Sequence, residues 1–224
     1  MRKLLLLTVF ISSSVFSEDY LNTGKISAID PTTNKKTEVQ FFNRINVNSE
    51  NNVMRFFFTY TCEHGVKYDK EMAQWGRTIP KNFKYVRVPV ITQEPHSTVG
   101  AFAYYAAFQT DKSKLDLFQD YAFRMIQQQG KSPSDQWTYY DAAKKAGMNT
   151  TEFKKHWTTK KTQQLVQNAV ILGSKYKISH TPTLTVGGIY AINPEPIANS
   201  NISFIEFANA IASKFINENG MAIK

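Results

Sequence analysis

The order of strand-type and helix-type segments most restricts what this chain can fold into. An apolar run at residues 53–60 and an alternating run at 83–91 have the length and composition of buried strands. Residues 97–174 then show almost only helical periodicity, and strand character returns at 183–186 and 189–192. Strands so far apart in the chain can bury their apolar faces only by joining one sheet. The pattern therefore predicts an α/β protein with a helical insertion.

A helix is expected directly after the first long strand. The spacing of Tyr68, Met72 and Trp75 predicts a helix from about Cys62 to Trp75, which Gly76 ends. Cys62 is the only cysteine of the 224-residue chain, and this pattern places it at a helix start. The positive end of a helix stabilises an anion, so the position favours a thiolate.

Shorter segments complete the α/β pattern. Two β-like runs, at 25–29 and 39–42, precede the first long strand. Gly187 and Gly188 predict a hairpin turn between the last two strands. A terminal amphipathic helix follows, and its apolar face consists of Phe204, Phe207, Ala208, Ile211 and Phe215.

Residues 1–17 have the composition of a secretory signal. Arg2 and Lys3 form the positive start, 4–11 the apolar centre and 15–17 the exit, so cleavage is expected before Glu18. A transmembrane helix would need roughly 20 apolar residues, which no later segment supplies. We therefore expect an exported protein without a transmembrane segment after signal cleavage.

The net charge limits the partners that this chain would bind. It is +9, but the lysines and arginines are scattered, and their longest runs are Lys-Lys pairs. A nucleic-acid protein would concentrate such charge in a patch or stripe, so no nucleic acid is expected. A generally cationic surface suits acidic clients or lipid headgroups instead.

A single cysteine in an exported protein also restricts its chemistry. It cannot form an internal disulfide, so the fold must be stabilised by its core. An unpaired exported thiol indicates intermolecular pairing or a free reactive sulfur. The alternative is a buried, inert cysteine that acts as a small hydrophobic residue.

A proline at the entry of a distant strand supports the reactive interpretation. The segment "HTPTLTVGG", from His180 to Gly188, places Pro182 directly before an apolar run. Proline cannot donate a hydrogen bond to a sheet, so it needs a particular reason to stand there. A cis bond after Thr181 would hold the backbone against the sulfur of Cys62 and offer an extended edge to a client peptide. An ordinary turn proline is the alternative.

Together these features resemble the DsbA family, periplasmic disulfide-handling proteins with a thioredoxin-like fold and an inserted α-helical domain. The resemblance rests on the segments 56–75 and 83–90, the helical insertion, Thr181-Pro182 and Gly187-Gly188. It covers nearly the whole mature chain. It implies a periplasmic protein whose thioredoxin-like domain consists of residues 18–96 and 175–224, with 97–174 as the inserted helical domain.

The chain departs from this family at its reactive turn. The family motif is C-x-x-C, whereas this chain has Cys62-Glu63-His64-Gly65. Cys62 matches the nucleophile, and His64 matches a histidine often found two residues later. Glu63 replaces the usual proline and would disfavour a thiolate, and Gly65 replaces the resolving cysteine. Phe56 stands where the family has a buried acidic residue, and the missing second cysteine excludes dithiol oxidase activity.

Monothiol exchange is the activity that these residues leave open. A Cys62 thiolate, with His64 beside it, can attack a client disulfide and form a mixed disulfide, which a client thiol or a small thiol such as glutathione then resolves. Thr181, Pro182 and His180 are expected to line the groove for cysteine-containing clients or extended peptides. The alternative is a redox-inactive relative that holds extended segments, as a chaperone or assembly factor of the cell envelope or a secretion system.

Other site chemistries fit the sequence less well. Thr59 matches the threonine of peroxidase sites, but Arg55 stands where those sites need a proline. His96 and His156 are expected at the surface or packed in the helical block. The candidate ligands for a metal have no recognised spacing: Cys62, His64 and His180. No metal and no cofactor is therefore expected.

Overall fold

The computed structural model describes residues 24–29, 36–47, 50–197 and 203–220. The predicted signal at 1–17 lies outside the described residues.

A mixed five-stranded sheet forms the centre of the molecule. Its strands are β3 (Phe42–Arg44), β4 (Val53–Phe58), β5 (Lys84–Pro89), β6 (Thr183–Val186) and β7 (Tyr190–Ile192). They are arranged in the order β3-β7-β6-β4-β5, with β4 and β5 parallel and the other pairs antiparallel. A separate antiparallel pair consists of β1 (Lys25–Ile29) and β2 (Lys36–Gln40). The prediction that distant strands share one sheet is confirmed, because β6 lies between β4 and β7.

Seven α-helices are present in the described part of the chain. They are α1 (Gly65–Trp75), α2 (Pro95–Thr110), α3 (Leu115–Gln127), α4 (Gln136–Lys145), α5 (Thr150–Trp157), α6 (Lys160–Lys175) and α7 (Phe204–Glu218). The helical insertion, α2 to α6, therefore lies between β5 and β6. No helix in these described segments is long and apolar enough to cross a membrane.

Local sequence explains how the strands and their turn form. Met54, Phe56, Phe57 and Phe58 of β4 are all buried, because this central strand is covered on both faces. The hairpin between β6 and β7 forms as predicted. Its two glycines have φ of 60° and 67°, values that a two-residue turn of this kind requires and that glycine adopts without strain.

The start of α1 differs from the sequence prediction, whereas its end agrees with it. The helix begins at Gly65 and not at Cys62, because residues 59–64 form a turn in which Gly65 N donates to Cys62 O at 2.8 Å. The helix ends at Gly76 as predicted, but this glycine has an ordinary right-handed φ of −59°. Its role is close packing, since a Cβ there would overlap the ring of Tyr85.

Candidate active site at the Cys62 turn

The turn after β4 brings Cys62 against the proline loop. The antiparallel register pairs Phe57 of β4 with Thr183 of β6. Thr59, two residues after Phe57, therefore lies opposite Thr181, two residues before Thr183. The hydroxyls of these two threonines are 3.0 Å apart. The thiol of Cys62 donates to the carbonyl oxygen of Thr181 at 3.1 Å. Two contacts therefore join the turn to the proline loop.

The proline loop has its own local restraints. The Thr181-Pro182 peptide bond is cis, and Pro182 is buried. Thr183 Oγ1 donates to the carbonyl of His180 at 2.8 Å, and Ser179 Oγ lies 2.9 Å from His180 Nδ1. The loop is thus held at both ends while the imidazole of His180 stays exposed.

A groove of about 270 Å³ lies beside this contact and gathers the predicted site residues. It is lined by His64, Tyr68, His180, Thr181, Pro182 and Glu195 among others. His64 is exposed at the N-cap of α1, with its ring 6.1 Å from that of Tyr68. None of the described hydrogen bonds joins the His64 ring to Cys62. The structure therefore places four predicted residues around one groove, and the half-buried Cys62 contacts it through the carbonyl of Thr181.

A second, wider groove lies on the other side of the turn. It has a volume of about 760 Å³ and runs between α1 and the end of α3. His64 lines both grooves, and Glu63 faces only the second. Lys67 and Lys131 line its walls, and neither forms an ion pair with another described residue. An extended segment that crosses the turn would thus pass His64 and then meet cationic side chains.

Sequence reasoning missed Gln127, the last residue of α3. Its side-chain amide donates to the carbonyl of Tyr60 at 2.9 Å and also to the carbonyl of Cys62. One side chain of the helical insertion therefore holds both ends of the tripeptide Tyr60-Thr61-Cys62. No local sequence signal marks Gln127, because its partners are 67 and 65 residues away in the chain.

A third histidine also lies near the turn. His96 stands at the start of α2, half-exposed, with Nε2 at 3.5 Å from the hydroxyl of Thr61. It belongs to the helical block, as expected, but it faces the reactive turn. His156 lies in α5, well separated in the chain from these residues. Within the residues described, no group of three or more His, Cys, Asp or Glu side chains is arranged to hold a metal ion.

A buried polar network lies beneath the turn. The hydroxyl of Tyr60 donates to Gln119, whose amide donates to Asp69 at 3.4 Å. Asp69 of α1 is 3.2 Å from Arg87 Nε, and both side chains are only 5% exposed. Arg87 also donates to Asp116 at 2.6 Å.

The charges in this network follow from its burial. Burial alone would lower the pKa of Arg87, but the attraction of Asp69 and neighbouring groups raises it above its ordinary value, so the guanidinium stays charged. Burial raises the pKa of Tyr60 well above its ordinary value, which keeps its hydroxyl a neutral donor. Among the described residues the buried acid is thus Asp69, whereas Phe56 is part of an apolar strand.

The chain is similar to proteins of known family. The model of the DSBA-like thioredoxin domain matches residues 40–211. The thiol:disulfide interchange protein DsbA of Pseudomonas syringae pv. tomato is 22% identical over 191 residues, which are 85% of this chain and 85% of that protein.

Solved structures show the same fold. Reduced DsbA1 from Neisseria meningitidis superposes with a TM-score of 0.65 at 17% identity, over 83% of this chain and 98% of that one. The oxidoreductase DsbA from Xylella fastidiosa gives 0.64 at 18% identity, over 82% of this chain and 97% of that one. The expected thioredoxin-like fold with a helical insertion is confirmed.

Proposed function

Because the chain belongs to the DSBA-like thioredoxin domain family, we propose that it is a periplasmic protein that exchanges disulfides with one thiol. One observation supports this proposal most: Cys62 is half-buried, and its sulfur lies 3.1 Å from the carbonyl of Thr181, a residue that lines a groove of about 270 Å³. An inert cysteine that acts as a small hydrophobic residue is expected in the core, and Cys62 is not among the buried core residues described. Export by the apolar start of the chain, residues 1–17, is part of this proposal.

The exchange proceeds in two balanced steps. The Cys62 thiolate attacks one sulfur of a client disulfide, so a mixed disulfide forms and the other client sulfur leaves as a thiolate. A second thiolate, from the client or from glutathione, then attacks the client sulfur of the mixed disulfide and releases Cys62 as a thiolate. When the client supplies that thiol, its disulfides are isomerised. When glutathione supplies it, the client sulfur is left as a mixed disulfide with glutathione, and a second glutathione thiolate must cleave that bond to complete the reduction, leaving as oxidised glutathione.

The neighbouring residues have distinct roles in this proposal. The exposed ring of His64 borders both grooves, so it favours the Cys62 thiolate when protonated and can donate a proton to the departing client thiolate. Thr181 and Pro182 line the groove just before β6, where a client segment can lie against their backbone. His180 faces the same client from the loop.

A redox-inactive binding role is the second candidate, and one observation favours it. The thiol of Cys62 donates a hydrogen bond to the Thr181 carbonyl at 3.1 Å, and none of the described hydrogen bonds donates to its sulfur. The groove would still accept an extended segment, as in a chaperone or an assembly factor of the cell envelope or a secretion system.

The proposal is tested by the mixed disulfide itself. The probe is an extended peptide with one cysteine, activated as its disulfide with glutathione, and the product is measured by mass spectrometry. We expect the wild type to form one adduct on Cys62 and Cys62→Ser to form none. His64→Ala should react more slowly, whereas His156→Ala in α5 is the matched control and should react at the wild-type rate. An unreactive Cys62 in a correctly folded protein would contradict monothiol exchange.

A further inference from the structure

The place of the absent resolving cysteine is occupied by a phenylalanine. Gly65 is buried at the first position of α1. A Cβ at Gly65 would overlap the ring edge of Phe123, with a second ring atom at 3.1 Å and Gln127 Nε2 at 3.2 Å. Real Cβ atoms essentially never stand so close to other atoms, so a side chain at this position requires Phe123 to move.

The obstacle at position 65 is steric and does not come from the backbone. Gly65 is absent from the glycines of this structure that have positive φ, so an L-residue could adopt its backbone conformation. Phe123 cannot easily yield, because its ring is 1% exposed and packs at 4.9 Å from the ring of Tyr60 and 5.9 Å from that of Phe58. Displacing it would disturb the aromatic cluster that supports the turn.

We propose that Phe123 is the residue that commits this protein to single-thiol chemistry. The inference rests on the proposed function. A mixed disulfide on Cys62 can be resolved only by a thiol of the client or of a small molecule, because the ring of Phe123 occupies the space that a cysteine side chain at position 65 would need. A cysteine introduced at position 65 therefore does not by itself restore a C-x-x-C site. Phe123 must become smaller at the same time.

The first test compares Gly65→Cys with the double variant Gly65→Cys/Phe123→Ala in glutathione buffers. Oxidised glutathione is the oxidant. The thiols of Cys62 and of the cysteine introduced at position 65 form one internal disulfide, while one molecule of oxidised glutathione is reduced to two molecules of glutathione. Mass spectrometry after alkylation separates this internal disulfide from a glutathione adduct. We expect the equilibrium constant of the internal disulfide to be at least about tenfold higher in the double variant. Equal constants in the two variants would overturn the proposal.

The second test needs no disulfide and remains decisive if the cysteine variants fold poorly. Gly65→Ala should lower the denaturation midpoint, and it should lower it much less in a Phe123→Leu background, where the ring is gone. The matched control is Gly173→Ala in α6, where a Cβ meets nothing within 4 Å and the midpoint should not fall. Additive effects of the Gly65 and Phe123 changes would overturn the steric assignment.

The two proposals fail in distinguishable ways. A wild-type Cys62 that forms no mixed disulfide, together with strong coupling between positions 65 and 123, would overturn the proposed function and support only the steric assignment. Normal mixed-disulfide formation without that coupling would overturn the role of Phe123 alone.

Discussion

Gln127 offers a direct way to loosen the reactive turn without touching the cysteine. We consider Gln127→Met, because methionine keeps the length of the side chain and has a similar helix propensity, but it cannot donate a hydrogen bond. The change leaves the carbonyls of Tyr60 and Cys62 without the amide that now reaches both. Each such hydrogen bond contributes about 0.5–1.5 kcal/mol net. Gln127 is half-buried, so water can replace part of the loss, and we expect the free energy of unfolding to fall by about 1–2 kcal/mol.

The same change should slow the chemistry of the turn. Without Gln127 the turn is no longer anchored to α3, so it no longer fixes Cys62 against the Thr181 carbonyl. The reaction of Cys62 with oxidised glutathione should therefore become severalfold slower. Denaturant titration measures the stability, and mass spectrometry over time measures the rate. The matched control is Gln129→Met, two residues further on, an exposed residue whose side chain makes no hydrogen bond in the described part of the chain. If Gln127→Met and Gln129→Met behaved alike in both assays, the anchoring role of Gln127 would be wrong.

Three further predictions concern the surroundings of the turn. Asp69→Asn should reduce the free energy of unfolding by about 3 kcal/mol, the lower end for a broken buried pair, because Arg87 keeps a second carboxylate partner. Thr181→Val should cost about 1 kcal/mol by leaving the hydroxyl of Thr59 without its partner, and it should leave the circular dichroism spectrum unchanged. Burial raises the pKa of Tyr60, as it does for Tyr85, Tyr104, Tyr105 and Tyr139, so the contribution of these tyrosines to stability is complete below their ordinary pKa and is lost as the pH rises above about 10, which denaturation at a series of pH values can measure.

Each of these predictions has a contrary outcome. An Asp69→Asn protein as stable as the wild type would show that the buried pair contributes nothing net. Equal stability of Thr181→Val would remove the threonine pair from the account of how the proline loop is held. A stability that stays constant from neutral pH to beyond the ordinary tyrosine pKa would mean that Tyr60 is not buried as a neutral donor.

The sheet and its insertion could be predicted because their signals are local. The apolar run of β4, the glycine pair before β7 and the helical periodicity between 97 and 174 each lie within one segment of sequence. The exact start of α1 could not be predicted, because the turn of residues 59–64 depends on contacts with the proline loop and with α3.

The candidate site was predictable only where a motif marks it. Cys62 and Pro182 stand in recognisable surroundings, and Gly65 could be identified as a replaced position. Phe123 and Gln127 could not be found, because each acts across the interface between α3 and the turn and has an ordinary helical residue type. A Cβ at position 65 would overlap the ring of Phe123, and the sequence alone does not show this contact.

The most direct test of monothiol exchange is the recovery of a client protein with scrambled disulfides in reduced glutathione. Wild-type protein should raise the rate of recovery in proportion to its concentration, and Cys62→Ser should not, because the mixed disulfide needs that sulfur. Equal acceleration by both proteins would contradict monothiol exchange and favour a groove that only binds extended segments. No acceleration by the wild type, with its fold intact, would also contradict the account.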